Sequence, residues 1–149
     1  MIDDIYNQRI LELAGSIPRL GRLDEPDGSA VGHSRLCGSK VTVDVTVKDG
    51  RVVDFAHDVK ACALGQASSS IMARHVIGST LSELKDVRDG VYRMLKEGAE
   101  PPAASAEGKW DDLKYLEPVR DFKARHASTM LTFDATVEAM EHASEKVDT

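Results

Sequence analysis

Apolar positions along this chain recur with two different periods, and the change of period divides it into elements. Ile2, Ile5, Tyr6, Ile10, Leu13 and Ala14 fall three and four residues apart, one face of an amphipathic helix that Gly15 and Pro18 end. From Ser16 to Gly28 the pairs Pro18-Arg19 and Gly21-Arg22 and the run Glu25-Pro26-Asp27-Gly28 read as turns. A short strand is expected around Ser29 to Leu36. The period then becomes two. Val41, Val43, Val45 and Val47 alternate with Thr42, Asp44, Thr46 and Lys48, the pattern of a strand with one buried face. Asp49-Gly50 turns the chain, and Val53, Phe55 and Val59 alternate on the return.

The register of this hairpin can be argued from its faces. A two-residue turn would pair Lys48 with Arg51, but it directs Val53 and Phe55 to the wrong side. A loop of three residues, Lys48-Asp49-Gly50, pairs Val47 with Arg51, Val45 with Val53 and Val43 with Phe55. Face matching selects the second option, because a slip of one residue exposes the whole apolar set.

The helical period returns after Cys62. Leu64, Ala67, Ser68, Ile71, Met72 and Val76 share a face, Gly78 stops it, and the small run Ala67-Ser68-Ser69-Ser70 suits close packing on the sheet. Thr80 and Glu83 have capping-box spacing and open a further helix bearing Leu81, Leu84, Val87, Val91, Met94 and Leu95, with Gly98 at its end. Glu83, Lys85, Asp86, Arg88 and Asp89 form its solvated face. Ala99 to Lys109 reads as a small-residue loop, and Trp110 to Val119 as a short, mostly irregular connector. Ala124 to Ala143 is a final helix with Met130, Leu131, Ala135, Ala139 and Met140 inward. There is no internal repeat. The order predicts an α+β fold over residues 1–149 as one domain: a small antiparallel sheet of about three strands, with helices packed on one face and at both ends.

Composition narrows the function classes. The chain has 149 residues, 42% of them hydrophobic, enough for a real core. Its net charge of −6 supplies no basic footprint for nucleic acid or an anionic membrane. No apolar run approaches the roughly 18 residues that a membrane span requires. Met1-Ile2-Asp3-Asp4-Ile5-Tyr6 has neither the basic nor the apolar region of a signal peptide, so a reducing cytosol is the expected compartment.

Cys37 and Cys62 are the only two cysteines, and they bracket the hairpin. A hairpin returns the chain to its starting end, so both thiols belong at one edge of the sheet. Two convergent thiolates suit zinc, copper(I) or the iron of an iron–sulfur cluster. Two inert buried thiols are the alternative. His33, His57 and His75 lack the spacing of a metal site and are expected at surface or edge positions. Ser68-Ser69-Ser70 has no accompanying base and is best read as helix packing.

Four segments carry a resemblance: Pro18-Arg19-Leu20-Gly21-Arg22-Leu23, Cys37-Gly38-Ser39, Cys62-Ala63-Leu64-Gly65-Gln66-Ala67-Ser68-Ser69-Ser70, and Val119-Arg120-Asp121-Phe122-Lys123-Ala124-Arg125. In these the chain, from about Pro18 to Ala139, resembles the U-type iron–sulfur cluster assembly scaffolds: IscU, the NifU N-terminal domain and SufU. The block from Cys62 to Ser70 is the most specific, and the last segment is more similar to SufU than to IscU. The proline-rich peptide that the IscU chaperone reads is absent.

The resemblance implies a metal-binding scaffold, not an enzyme. Its first two cysteines match Cys37 and Cys62. The aspartate common two residues after the first cysteine is Ser39 here. The third cysteine falls at Ser128, the histidine before it at Ala127, and His126 stands one position earlier. SufU-like members imply zinc and a cysteine desulfurase that donates sulfur; IscU-like members imply a [2Fe–2S] cluster. A serine hydroxyl is a poor ligand for soft metals, so the altered positions bear directly on the chemistry. The expected metal residues are Cys37 and Cys62, with His126 and Ser128 as third and fourth candidates. Iron, a cluster or zinc would be the cargo, a cysteine desulfurase the partner, and Pro18 to Leu23 a docking segment. Two alternatives keep the fold: a metal-free adaptor or regulator of the assembly machinery, and a thiol-dependent carrier of sulfur on Cys62.

Overall fold

Left-handed backbone at Asp49 (φ 55°) and Gly50 (φ 76°) makes the tight two-residue turn at the centre of the sheet. The computed structural model describes residues 7–35, 38–102 and 108–147, and strands β2 (Lys40–Lys48) and β3 (Arg51–Lys60) flank this turn. Lys48 pairs with Arg51 and Val47 with Val52, but Thr46 then pairs with Asp54, so Val53 is left over as a bulge. Beyond it Val45 faces Phe55 and Val43 faces His57. The expected three-residue loop is therefore corrected. The short turn wins, and the bulge rescues the facing of Phe55 while leaving Val53 48% exposed.

Strand β1 (Gly28–His33) pairs antiparallel with β2, giving the sheet order β1-β2-β3. The expected strand reached Leu36; the observed one ends at His33. There Gly38 (φ 72°) donates its N–H to the Ser34 carbonyl, and the Ser34 N–H bonds the Ser39 carbonyl, turning the chain into β2. Leu36 and Cys37 lie outside the described residues.

Helix α1 (Gln8–Ala14) is capped by the Asn7 side chain, which accepts from the Ile10 N–H, and it ends at Gly15 as expected. Its predicted beginning, with Ile2, Ile5 and Tyr6, lies outside the described residues. Helix α2 (Ala63–His75) packs between α1 and α4 (His126–Val147), while α4 covers β1 and β2 and also meets α3 (Leu81–Lys96). The helix lying closest on the sheet is thus α4, not α2. Gly28 explains the approach: a Cβ there would run into the Ala139 carbonyl of α4. The small residues of α2 serve the helix–helix contacts instead, and Ser68, Ser69 and Ser70 are buried. Thr80 caps α3 by accepting from the Glu83 N–H, but Glu83 turns its carboxylate elsewhere, so only half of the capping box forms.

The segment expected to be irregular is a 3-10 helix, Asp111–Asp121. Trp110, Leu113, Leu116 and Val119 recur at every third position and are buried. Three residues per turn place them in one row, a stripe that a 3.6-residue search does not register. Residues 103–107 of the preceding loop lie outside the described set.

Candidate thiol and metal site at two helix starts

Cys62 immediately precedes α2 in extended conformation (φ −68°, ψ 173°), and its side chain makes no capping bond to the helix. Its carbonyl accepts from the Gln66 N–H, while the Gln66 side chain donates to the Ala61 carbonyl. These bonds hold the backbone and leave the thiol directed across to α4, where the Cys62 sulfur donates to the Ser128 hydroxyl oxygen at 3.4 Å. Ser128, in the first turn of α4, donates its own hydrogen to the Arg125 carbonyl at 3.2 Å and so presents a lone pair to the thiol. Gly65 permits the approach: a Cβ there would stand 2.7 Å from the Ala61 methyl and 3.3 Å from the Ser128 carbonyl.

His126 opens α4 and is buried. Its Nε2 lies 2.9 Å from the Val119 carbonyl and 3.1 Å from that of Arg120. Carbonyls only accept, so Nε2 carries a proton, while Nδ1 is buried without a partner. The described contacts thus bring Cys62 and Ser128 together, while His126 is bonded to the end of the 3-10 helix. Cys37 falls outside the described residues. Among the described residues, no group of three or more histidine, cysteine, aspartate or glutamate side chains could hold a metal.

Other expectations change with the coordinates. Ser39, at the altered aspartate position, is only 3% exposed. His57, expected at the surface, is fully buried. Its Nε2 donates to the Pro18 carbonyl at 2.9 Å, its ring meets Phe55 edge-on at 4.9 Å between centroids, and Nδ1 has no partner. Burial holds its pKa below the ordinary histidine value. His33 is exposed as expected, and His75 is half-buried beside Trp110. Glu83, expected on a solvated face, accepts from Ser79, Lys109 and the Trp110 indole.

The polar side of β2 hides two residues that alternation alone assigns to solvent, Thr42 and Asp44. Asp44 is fully buried, accepting from Arg22 at 2.7 and 3.1 Å, from the Ser29 hydroxyl at 2.6 Å and from the Leu23 N–H at 3.0 Å. Burial alone would raise its pKa; the donors from Arg22, Ser29 and Leu23 outweigh it and hold the carboxyl below its usual range. Arg22 and Leu23 belong to the strap Pro18 to Leu23. The same strap pairs with the outer edge of β3 through His57 N–H to Arg19 O and Gly21 N–H to His57 O. Leu20 at its crest is 60% exposed.

The three-stranded antiparallel sheet with packed helices is an α+β layer in which Cys62 before α2 faces the start of α4. Residues 5–129 match the family model described as NifU-like N terminal domain, and the chain belongs to that family. It is similar to a NifU-like protein (N-terminal) from Brucella abortus of known structure, with 61% identity, TM-score 0.92, and 97% of this chain and 98% of that one covered. It is 26% identical to the iron–sulfur cluster assembly scaffold protein IscU of Thermotoga maritima, over 94% of this chain and 95% of that protein. The putative SUF-system scaffold of Fervidobacterium islandicum shares the fold, with TM-score 0.80 at 21% identity, covering 91% of this chain and 96% of that one. The family is one of assembly scaffolds for iron–sulfur clusters and not of enzymes, and it works with the assembly machinery. No helix among the described residues is long and apolar enough to cross a membrane.

Proposed function

We propose that this scaffold receives its cargo through Cys62 and Cys37 in transient complexes with a cysteine desulfurase in the cytosol. The observation that carries the reading is the Cys62 thiol facing the Ser128 hydroxyl at 3.4 Å, the position where the family resemblance implies a third cysteine. Iron or a cluster is the cargo, with zinc as the alternative. The thiolates are the effective ligands, Ser128 contributes a weak oxygen donor, and Nδ1 of His126, buried without a partner, is the remaining nitrogen. Sulfur transfer would proceed by attack of the Cys62 thiolate on the outer sulfur of the desulfurase persulfide. A new S–S bond forms at Cys62, the donor's S–S bond breaks, and the donor cysteine leaves as thiolate.

Anaerobic reconstitution with iron and sulfide, beside a zinc assay, on the wild type, Cys37→Ala and Cys62→Ala tests this. Stoichiometric metal in the wild type that disappears in both variants is the expected result. The metal-free adaptor is the second reading, favoured by serine at positions 39 and 128, where the resemblance implies an aspartate and a third cysteine. It requires no metal in any of the three proteins and an intact complex with the desulfurase in all of them.

A further inference from the structure

We propose that the end of α2 remote from Cys62 docks an acidic segment of a partner protein that carries an aliphatic side chain. Two adjoining depressions meet there and share Ile77, which is 38% exposed. One, of about 520 Å³, gathers Arg9, Arg19 and Arg74 around a single carboxylate, Asp112. The other, of about 580 Å³, sets Lys48 and Arg51 beside exposed Val53, with Asp49 as its only carboxylate. A chain of net charge −6 thus lines the two depressions with five basic side chains and two carboxylates, while Glu12 and Asp54 at the rim engage Arg9 and Arg19.

The cations differ in how they are engaged. Arg9 is bound by Asp112 and reaches Glu12 at 3.4 Å, and Arg19 lies 3.7 Å from Asp54. Arg74 spends its hydrogen bonds on neutral oxygens, those of Ser70 and Ser16. Arg51 donates to the Gly78 carbonyl. Among the described residues, Arg74, Arg51 and Lys48 form no ion pair within 4 Å, although Arg74 shares the field of Asp112 across the first depression. His75 lines the first depression too. Burial, assisted by Lys109 and Arg74 and opposed by Asp112 and Asp111, holds it below its ordinary pKa, so the charge at neutral pH rests on the arginines and Lys48.

The pattern specifies the occupant. A small anion would need only one cluster of guanidinium groups. Here the positive charge runs through both depressions, and exposed Ile77 and Val53 interrupt it, which matches an extended chain alternating carboxylates with an aliphatic anchor. The bulge that exposes Val53 is part of the same surface. The helix of 13 residues places this end about 20 Å from the thiol, so an occupant here leaves Cys62 accessible. The surface makes no use of the metal reading and stands apart from it.

The test uses a fluorescein-labelled peptide of twelve residues, nine glutamates and three spaced leucines, read by anisotropy and by amide shifts in the full chain. Binding that weakens with salt, with shifts centred on Arg74, Ile77 and Val53, is expected. Lys48→Glu combined with Ile77→Ser, neither of which removes an internal bond, is expected to weaken it at least tenfold with an unchanged thermal midpoint. Any of four results overturns the proposal: no binding, equal binding of the lysine/leucine counterpart, shifts centred on the Cys62 end, or indifference to the double variant. Complete displacement by millimolar inorganic phosphate would also overturn it, assigning the surface to a small anion.

Discussion

Cys62 and Ser128 face each other across the starts of two helices, sulfur to oxygen at 3.4 Å. A sulfur placed at position 128 therefore has a thiol within reach. In a Cys37→Ser background, Ser128→Cys is expected to form a disulfide with Cys62 on mild oxidation. Thiol titration would then fall from two reactive groups to none, whereas the background variant keeps one. Two thiols surviving oxidation would mean that the two helix starts are not juxtaposed as described. The same variant, reduced, is expected to retain more zinc than its parent, since a second thiolate replaces a hydroxyl.

Asp44 gives a separate prediction about the strap. Its carboxylate takes four hydrogen bonds from Arg22, Ser29 and Leu23 with no exposure to water. Asp44→Asn removes the charge and turns donors toward donors, at a cost of about 2 kcal/mol in urea unfolding at pH 7. Because the folded carboxyl sits below its unfolded value, the stabilisation is present above about pH 4 and is lost as pH falls through the folded value. The unfolding curves of wild type and variant should therefore converge in acid. A constant gap down to pH 2 would count against the assignment.

Much of this was legible in the sequence, for identifiable reasons. The alternating valines from Val41 to Val45 and the amphipathic stripe of α3 are strongly periodic, so burial follows the pattern there, whereas α2 and α4, held between other elements, bury residues well beyond their stripes. The hairpin register was not legible. Two devices act in series there, a turn set by Asp49-Gly50 and a bulge at Val53, and each shifts the pairing by one. Arguing from faces alone compresses both into a single wrong loop. Asp44 and His57 were misplaced for a related cause. Both read as ordinary strand positions, and what buries them is the irregular strap Pro18 to Leu23, whose path no local period encodes. At the candidate site, the order of hairpin and helices let Cys62 and Ser128 be considered together, and they are in contact, whereas nothing in the spacing signalled that His126 would bond the carbonyls of Val119 and Arg120.

The seat of α4 on the sheet depends on Gly28. A methyl group there meets the Ala139 carbonyl and comes within 2.8 Å of the Ala143 nitrogen, both backbone atoms that cannot swing aside. Gly28→Ala is expected to cost about 3 kcal/mol, at the upper end for overpacking. Gly50→Ala, with open space around the added methyl and strain only from its left-handed φ, is expected to cost about 1 kcal/mol. Equal thermal midpoints for the two variants would show that α4 yields at Gly28.

His57 should make stability depend on pH in the histidine range, beside a contribution of the same sign from His75. Its Nε2 proton is committed to the Pro18 carbonyl, so charging the ring must add a proton at Nδ1, which is buried with no acceptor. The folded pKa is accordingly below the ordinary value of about 6.5. The unfolded chain then binds the proton more readily than the folded one. Stability from this residue is complete above about pH 6.5, declines as pH drops toward the folded value, and levels off beneath it. His57→Gln removes the titration while keeping a donor for Pro18. The expected result is a wild-type unfolding free energy that falls between pH 7 and pH 5 and a variant curve measurably flatter there. Amide exchange at Gly21, whose N–H bonds the His57 carbonyl, should accelerate over the same interval in the wild type alone. Parallel pH profiles for the two proteins would remove His57 as the origin of the dependence.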